Sequence, residues 1–401
     1  MLGIESDAFT SAPGHLRYAR DFASRRRPDA AKAAMSRLYA IESTPTLLGA
    51  KADHRLIMKP GEIEAALRFL AGSLHAGPAG WAQQRPPQGE VMDALIADLQ
   101  AHRGRTLLHA GSEQPASVHA LCHAINHALG AFGATLRPIA PIAASPPSQA
   151  DSLSALVADM ESGKVDTLVI LGVNLAYDAP ADLDIAAALK KVPHAIYGGE
   201  YADETAALCA WHIPAAHEYE GWSDIRAYDG TVTIQQPQVQ PLYGGTTRHE
   251  ILAHLLGAPK PDDYALLRDR WQRESGASDF ESFWMDALRK GIVPNSTAAP
   301  IEVSLRNDFA TALPPPSATA DGLSVLFRPD IGLWDGRYAS NGWLQEMARP
   351  FTRLTWDNAA EISPRRKLFR WLTDFSRSCA MAMVSSLQRP GCKSVTVRAR
   401  A

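Results

Sequence analysis

One pattern occurs twice in this chain of 401 residues: strand, loop, helix, strand, polar loop, apolar finish. In the first copy Leu2-Gly3-Ile4-Glu5 opens the segment and a helix-like stretch runs to Arg27. The apolar run Leu38-Tyr39-Ala40-Ile41 follows, then the polar Glu42-Ser43-Thr44-Pro45-Thr46, and the copy closes on Ala52-Asp53-His54-Arg55-Leu56. The second copy opens on Leu168-Val169-Ile170-Leu171-Gly172-Val173-Asn174 and is helical to Lys191. It continues through Ala195-Ile196-Tyr197-Gly198-Gly199-Glu200 and Asp203-Glu204-Thr205-Ala206, and ends on Trp211-His212-Ile213-Pro214. Short apolar runs joined by helices mark parallel strands, because a parallel pair needs a long crossover. The duplication predicts an α/β fold with two pseudo-repeated Rossmann-like parallel-sheet lobes. Open sheets of this kind place ligands outside the carboxyl ends of their strands, so a cleft between the lobes is the expected place for one.

The bulk properties narrow the function more than the fold. The length suggests two or three domains. A formal net charge of −3 gives no case for nucleic acid or an anionic membrane surface as partner. The sequence has no run of 18 apolar residues, so no membrane span is expected. Met1-Leu2-Gly3-Ile4-Glu5-Ser6-Asp7 lacks the basic and apolar regions of a secretory leader. The four cysteines, Cys122, Cys209, Cys379 and Cys392, show none of the close pairing that zinc or iron–sulfur ligation uses. Cys122 and Cys209 stand in apolar runs and read as buried filler.

Along the chain, Leu16, Ala19, Phe22 and Ala23 recur at helical spacing. Pro60-Gly61 opens an amphipathic helix with acids in its first turn. Thr106 to Gly111 reads as a strand, Gln114 to Gly130 as a helix, Ala134 to Ile139 as a strand and Ser152 to Met160 as a helix. Gly230, followed by the alternating Val232-Thr233-Ile234, signals a hairpin. Residues 259–294 are amphipathic and helical, 294–321 irregular, and Leu323 to Arg328 restarts a strand. This divides the chain into a first α/β lobe (1–75), a second (76–258), a helical segment with a Pro-rich linker (259–320), a segment that restarts with a strand (321–364) and a tail (365–401). The tail holds nine Lys or Arg and one Asp.

Two sets of residues carry a family likeness. Gly172-Val173-Asn174, Asp203-Glu204-Thr205-Ala206, Trp211 to Ala216 and Ala227 to Val232 resemble the central domains of molybdopterin oxidoreductases. Gly14-His15-Leu16-Arg17-Tyr18-Ala19-Arg20-Asp21-Phe22, the run Glu42 to Leu56, Pro237 to Gly245 and Asn341 to Glu346 are similar to the large iron–sulfur subunit of alternative complex III, a quinol-oxidising respiratory assembly. The likeness covers about residues 1 to 364. It implies a fragment that starts inside the first lobe and stops at the entry of a β-rich domain, and it makes residues 321–364 the start of that truncated domain. It also implies that the family's twin-arginine leader and the cysteine runs for its iron–sulfur clusters lie outside this sequence, and that Arg365 onward is unrelated or out of frame. The implied partners are other subunits of a membrane-bound complex on the periplasmic face. The chain as written carries no leader and by itself would be cytoplasmic.

The resemblance makes Gly172, Asn174, Glu204 and Thr205 the candidates for a vestigial pterin pocket. Strand-end loops can offer N–H groups to phosphates; equally, these are ordinary turn and cap residues. In the first copy Glu5 places an acid where a phosphate wants none, and Thr44 stands where cofactor-binding relatives tend to have arginine. Members of the resembled subunit are considered to lack molybdenum, so neither pterin binding nor a catalytic residue is expected. His119, His123 and His127 share one helix face without a carboxylate and read as a solvated or interface stripe rather than a metal face. Trp211, Tyr219, Trp222 and Tyr228 cluster in sequence and read as core, with an interface as the alternative. Three functions follow: a scaffold subunit for electron transfer, a molybdopterin-dependent oxidoreductase binding bis-pterin between its lobes, or a module that binds a nucleotide in the cleft.

Overall fold

The structure, a computed structural model, describes residues 1–27, 35–143, 149–316, 324–357, 361–362 and 396–400. The chain separates into two compact units, residues 1–138 with 300–401, and residues 139–299.

The first unit is built on a parallel sheet. Its first half runs β1 (Leu2–Ile4), α1 (His15–Ser24), β2 (Tyr39–Glu42), α2 (Leu47–Ala50), β3 (His54–Ile57), α3 (Pro60–Ser73), α4 (Gly89–Ala101), β4 (Leu108–Ala110) and α5 (Ala116–Ala128). The strand order is β3-β2-β1-β4, all parallel, with Ile4 opposite both Ile41 and Ala110. Side chains alternate across a strand. Leu2, Ile4, Tyr39, Ile41 and Leu56 therefore enter a core with Ile63, Leu67 and Leu70 of α3 and Leu121 and Ile125 of α5. Leu38 and Ala40 turn to the opposite face, where they meet Ala8 and Leu48. Each fully buried aliphatic side chain contributes about 1.5–3 kcal/mol. The predicted stripe of α1 does not become core: no α1 residue is buried, and Leu16 is 77% exposed. Phe22 alone of that stripe stacks on a ring, that of Phe9, at 4.8 Å.

The outer edge of β4 is covered by a side chain. Asn126 of α5 is fully buried; its Nδ2 donates to the Leu108 carbonyl at 2.8 Å and its Oδ1 accepts the Leu108 N–H at 2.9 Å. The amide thus stands in for a neighbouring strand at an edge that would otherwise carry unpaired backbone groups.

The second unit runs α6 (Gln149–Glu161), β5 (Thr167–Leu171), α7 (Leu175–Asp178), α8 (Ile185–Leu189), β6 (His194–Gly199), β7 (Trp211–Pro214), β8 (Ser223–Arg226), β9 (Val232–Gln235), α9 (Arg248–Leu255), α10 (Asp263–Ser275) and α11 (Phe280–Lys290). Strands β5, β6 and β7 form a parallel sheet in that order, repeating the β1-β2-β3 arrangement of the first unit. The hairpin β8–β9 is antiparallel and turns at Gly230, whose φ of 85° suits glycine. Its Val232 and Ile234 pack with Leu267, Trp271 and Trp284. Gly276, at φ 60°, ends α10, and the Asp279 side chain caps α11, so one helical stretch becomes two helices.

The chain then returns to the first unit with α12 (Phe309–Ala312), β10 (Ser324–Arg328), α13 (Gly342–Glu346), β11 (Glu361–Ile362) and β12 (Thr396–Arg400). Strand β12 pairs with β10 antiparallel and with β11 parallel. The rest of the tail after Arg365 lies outside the described residues.

Three sequence expectations change. Leu108–Ala110 and the helices α4 and α5 belong with the first sheet, so the first unit continues to Pro138 rather than ending near residue 75. The reason is that β1 needs a neighbour on its second edge, and β4 supplies it. Likewise Leu305, Phe309 and Leu313, placed in a linker by composition, pack against the first core. Ala134–Ile139 forms no strand: Leu136 makes an isolated bridge to Phe132, and Gly133 takes a φ of 79°. No helix among the described residues is long and apolar enough to cross a membrane.

Candidate functional site at the strand ends

A cavity of about 720 Å³ lies in the first unit, at the carboxyl ends of its strands. Glu5 and Asp7 follow β1, Thr46 and Leu47 follow β2, and Gly111 to Glu113 follow β4. The order β3-β2-β1-β4 reverses direction between β1 and β4, where open α/β sheets hold ligands. The two loops meet closely. The Gly111 N–H donates to the Ile4 carbonyl at 2.9 Å, and a Cβ on Gly111 would stand 2.1 Å from the Glu5 carbonyl oxygen. Only glycine permits that approach.

The cations on the wall are matched by buried carboxylates. Arg328 pairs with Glu5, which is 3% exposed and also accepts the Ser43 N–H. Arg349 donates to Asp330 at 2.9 Å, and the N–H groups of Gly332 and Leu333 donate to the same carboxylate at 2.8 and 2.9 Å. Burial pushes Asp330 upward, but the Leu333 N–H, Arg349 and the Gly332 N–H outweigh it and hold the carboxyl below its ordinary range. These contacts close the loop Asp330–Trp334, whose ends exchange two backbone hydrogen bonds of 2.8 and 2.9 Å. Trp334 sits there with φ 58°, a left-handed conformation that costs an aromatic residue about 1–3 kcal/mol. Glu5 is also left-handed, at φ 46°.

The histidine stripe is partly a wall of this cavity. His109, His119 and His123 line it, whereas His127 is exposed and packs its ring on Phe132. The expectation of a solvated stripe holds for His127 and for His123, which is exposed although it lines the cavity, and not for half-buried His119. Burial, then His119, lowers both His109 and His123 and favours their neutral forms. His109 Nδ1 shares a hydrogen bond of 2.6 Å with Ser6 Oγ. Ser6 is 2% exposed, so this pair is a brace and not an accessible nucleophile. Among the described residues no group of His, Cys, Asp and Glu has the geometry of a metal site. Cys122, buried as its sequence context suggests, also lines the cavity, and burial pushes its thiol up to about 12. A ready thiolate ligand needs the opposite shift.

In the second unit the four candidates from sequence come together at the ends of β5 and β6. Asn174 Nδ2 donates to Glu204 at 2.8 Å, and Thr205 Oγ1 donates to Asn174 Oδ1 at 2.7 Å. Thr205, fully buried, also accepts the Ala176 N–H at 3.0 Å. Asp203 accepts the N–H groups of Thr205 and Ala206 at 3.0 Å each and the Tyr197 hydroxyl at 2.6 Å. Burial first, then Asp203, holds the Tyr197 phenol far above its usual range. Gly172, with φ 63°, ends β5, and a side chain there would meet the Arg248 guanidinium at 2.8 Å. Asn174, Glu204 and Thr205 thus partner one another and their own loop. The aromatic cluster divides: Trp222 packs on Tyr264 at 4.8 Å, but Trp211 and Tyr219 are 70% and 63% exposed. Trp211 is exposed because β7 is the edge of its sheet.

Sequence reasoning missed Arg328, Asp330, Trp334 and Arg349 as site residues. The only signal was the Pro-Asp of Arg328-Pro329-Asp330, a turn mark with no bearing on which strand ends it would reach.

No protein-family model matches the chain, and no curated protein does. Among solved structures it is similar to acetylene hydratase from Pelobacter acetylenicus, at 12% sequence identity and a TM-score of 0.43, over 64% of this chain and 47% of that one. The chain spans less than half the length of that protein.

Proposed function

We propose that this chain is a scaffold portion of a respiratory quinol:acceptor oxidoreductase subunit, of the alternative complex III type, with no redox centre among its residues. In this reading it assembles with the other subunits of a membrane-bound complex on the periplasmic face, and the iron–sulfur clusters belong to parts of the subunit beyond this sequence. The observation that carries the reading is the closure of strand-end groups on one another. Asn174, Glu204 and Thr205 satisfy each other in the second unit. In the first unit Arg328 and Arg349 are held by Glu5 and Asp330. A pterin dinucleotide carries a pyrophosphate, and a wall whose cations are already neutralised is a poor match for it.

The motif that carries the family likeness is itself structural. Glu42, 1% exposed, binds Arg55 and accepts the Thr46 hydroxyl at 2.6 Å. Gly49 must lack a side chain, since a Cβ would lie 2.2 Å from that carboxylate. Asp53 takes both arms of Arg26, at 2.7 and 2.8 Å, and the Leu38 N–H at 2.8 Å. Such residues hold β2 and β3 in place, which suits a lobe kept for its shape. The test is purification of a tagged chain from its native membranes. The proposal expects the other subunits of the complex, and quinol-oxidising activity, to co-purify in fixed ratio; a chain recovered alone, or one that oxidises quinol by itself, overturns it.

A further inference from the structure

We infer that the cavity of the first unit binds a small organic cation, an amine carried on an apolar body of aromatic size. This goes beyond the scaffold reading and does not depend on it. The volume of 720 Å³ is that of a small-molecule pocket. Its walls are largely apolar: Ala8, Leu107, Leu136, Ile331, Trp334 and Phe351 line it. Trp334 and Phe351 are 44% and 43% exposed and line the cavity, and an aromatic ring attracts a cation. Trp334 is held there by a strained, doubly hydrogen-bonded loop rather than by chance packing.

Charge selects the sign of the guest. Both arginines on the wall are committed to buried carboxylates, Arg328 to Glu5 and Arg349 to Asp330. Asp7 and Glu113 also line the cavity, and among the described residues neither forms an ion pair. Among the described lining residues the balance is therefore negative. An anion would have to break a buried pair to find a counter-charge, which strands the other partner. A neutral imidazole can accept a hydrogen bond from an ammonium group, and His109 and His123 line the cavity with burial favouring that form. A phosphate-bearing nucleotide is excluded by the same balance.

The experiment is calorimetry and thermal shift on the full chain at pH 7.5 with tryptamine, its anionic analogue indole-3-propionate, and ATP. Saturable binding is expected for tryptamine alone. Glu113→Gln, at an exposed position, and Asp7→Asn should each weaken it roughly threefold to fivefold, and Trp334→Ala about tenfold. Equal or tighter binding of indole-3-propionate or ATP overturns the inference. So does the absence of saturable tryptamine binding, or binding that all three variants leave unchanged. None of these results bears on molybdenum content or subunit partners, so the two proposals fail separately.

Discussion

Replacing Asn126 by Leu should unfasten the edge of the first sheet beside the cavity. The Asn126 amide is fully buried and satisfies both the N–H and the C=O of Leu108, at 2.9 and 2.8 Å. Leucine is similar in size, so packing changes little, but both Leu108 groups lose their partner. Each buried backbone group left unpaired costs about 1–3 kcal/mol, or about 2–6 kcal/mol for the two. Extra apolar burial returns about 1–2 kcal/mol. The expected net loss centres on about 2.5 kcal/mol, confined to the first unit. Urea unfolding of the full chain measures the loss, and hydrogen exchange at the Leu108 amide localises it. Exchange there should accelerate while the amides of β5 and β6 keep their protection. A variant within about 0.5 kcal/mol of the parent, with Leu108 still protected, would refute the claim that this side chain replaces a neighbouring strand.

Trp284→Ala should cost about 3–5 kcal/mol in the second unit, since Trp284 is 1% exposed and donates to the Tyr264 hydroxyl at 3.1 Å; an unchanged melting profile contradicts this. Thr205→Val removes two hydrogen bonds from a fully buried hydroxyl and should cost about 1–3 kcal/mol; stability equal to the parent would show that the Asn174–Thr205 closure is incidental. Asp53 is pulled down to about 2, first by Arg26, from an unfolded value of 3.8. A depressed carboxyl stabilises the fold above its unfolded value, and that stability is lost as pH falls through the folded value. Asp53 is exposed, so solvent screening holds the contribution to about 1 kcal/mol; it is present above pH about 4 and gone below about 2. Asp53→Asn should therefore lower stability at neutral pH and flatten its fall in that acid window; an identical acid profile in the two proteins rules out the assignment.

The sheets were legible because each strand is a short apolar run bounded by polar loops. The repeat of β1-β2-β3 in β5-β6-β7 follows from two matching stretches of sequence, and the Gly230 hairpin from one left-handed glycine. What was not legible is long-range. Nothing near Leu108 says that it pairs with Leu2 and not with the later strands. Periodicity marks α1 as amphipathic, yet only Phe22 of its stripe reaches a core and no α1 residue is buried. Of the candidate site, Gly172, Asn174, Glu204 and Thr205 do assemble at strand ends, but only coordinates reveal that the last three are partners of one another. The first-unit cavity depends on residues more than 300 positions apart, as the Glu5–Arg328 pair illustrates.

The central proposal is that this chain is a scaffold that holds no pterin cofactor. It is tested most directly by expressing the chain in cells that make molybdopterin and assaying the purified protein for molybdenum and for pterin fluorescence after oxidation. The account predicts background levels of both. Stoichiometric molybdenum with a released pterin would contradict it.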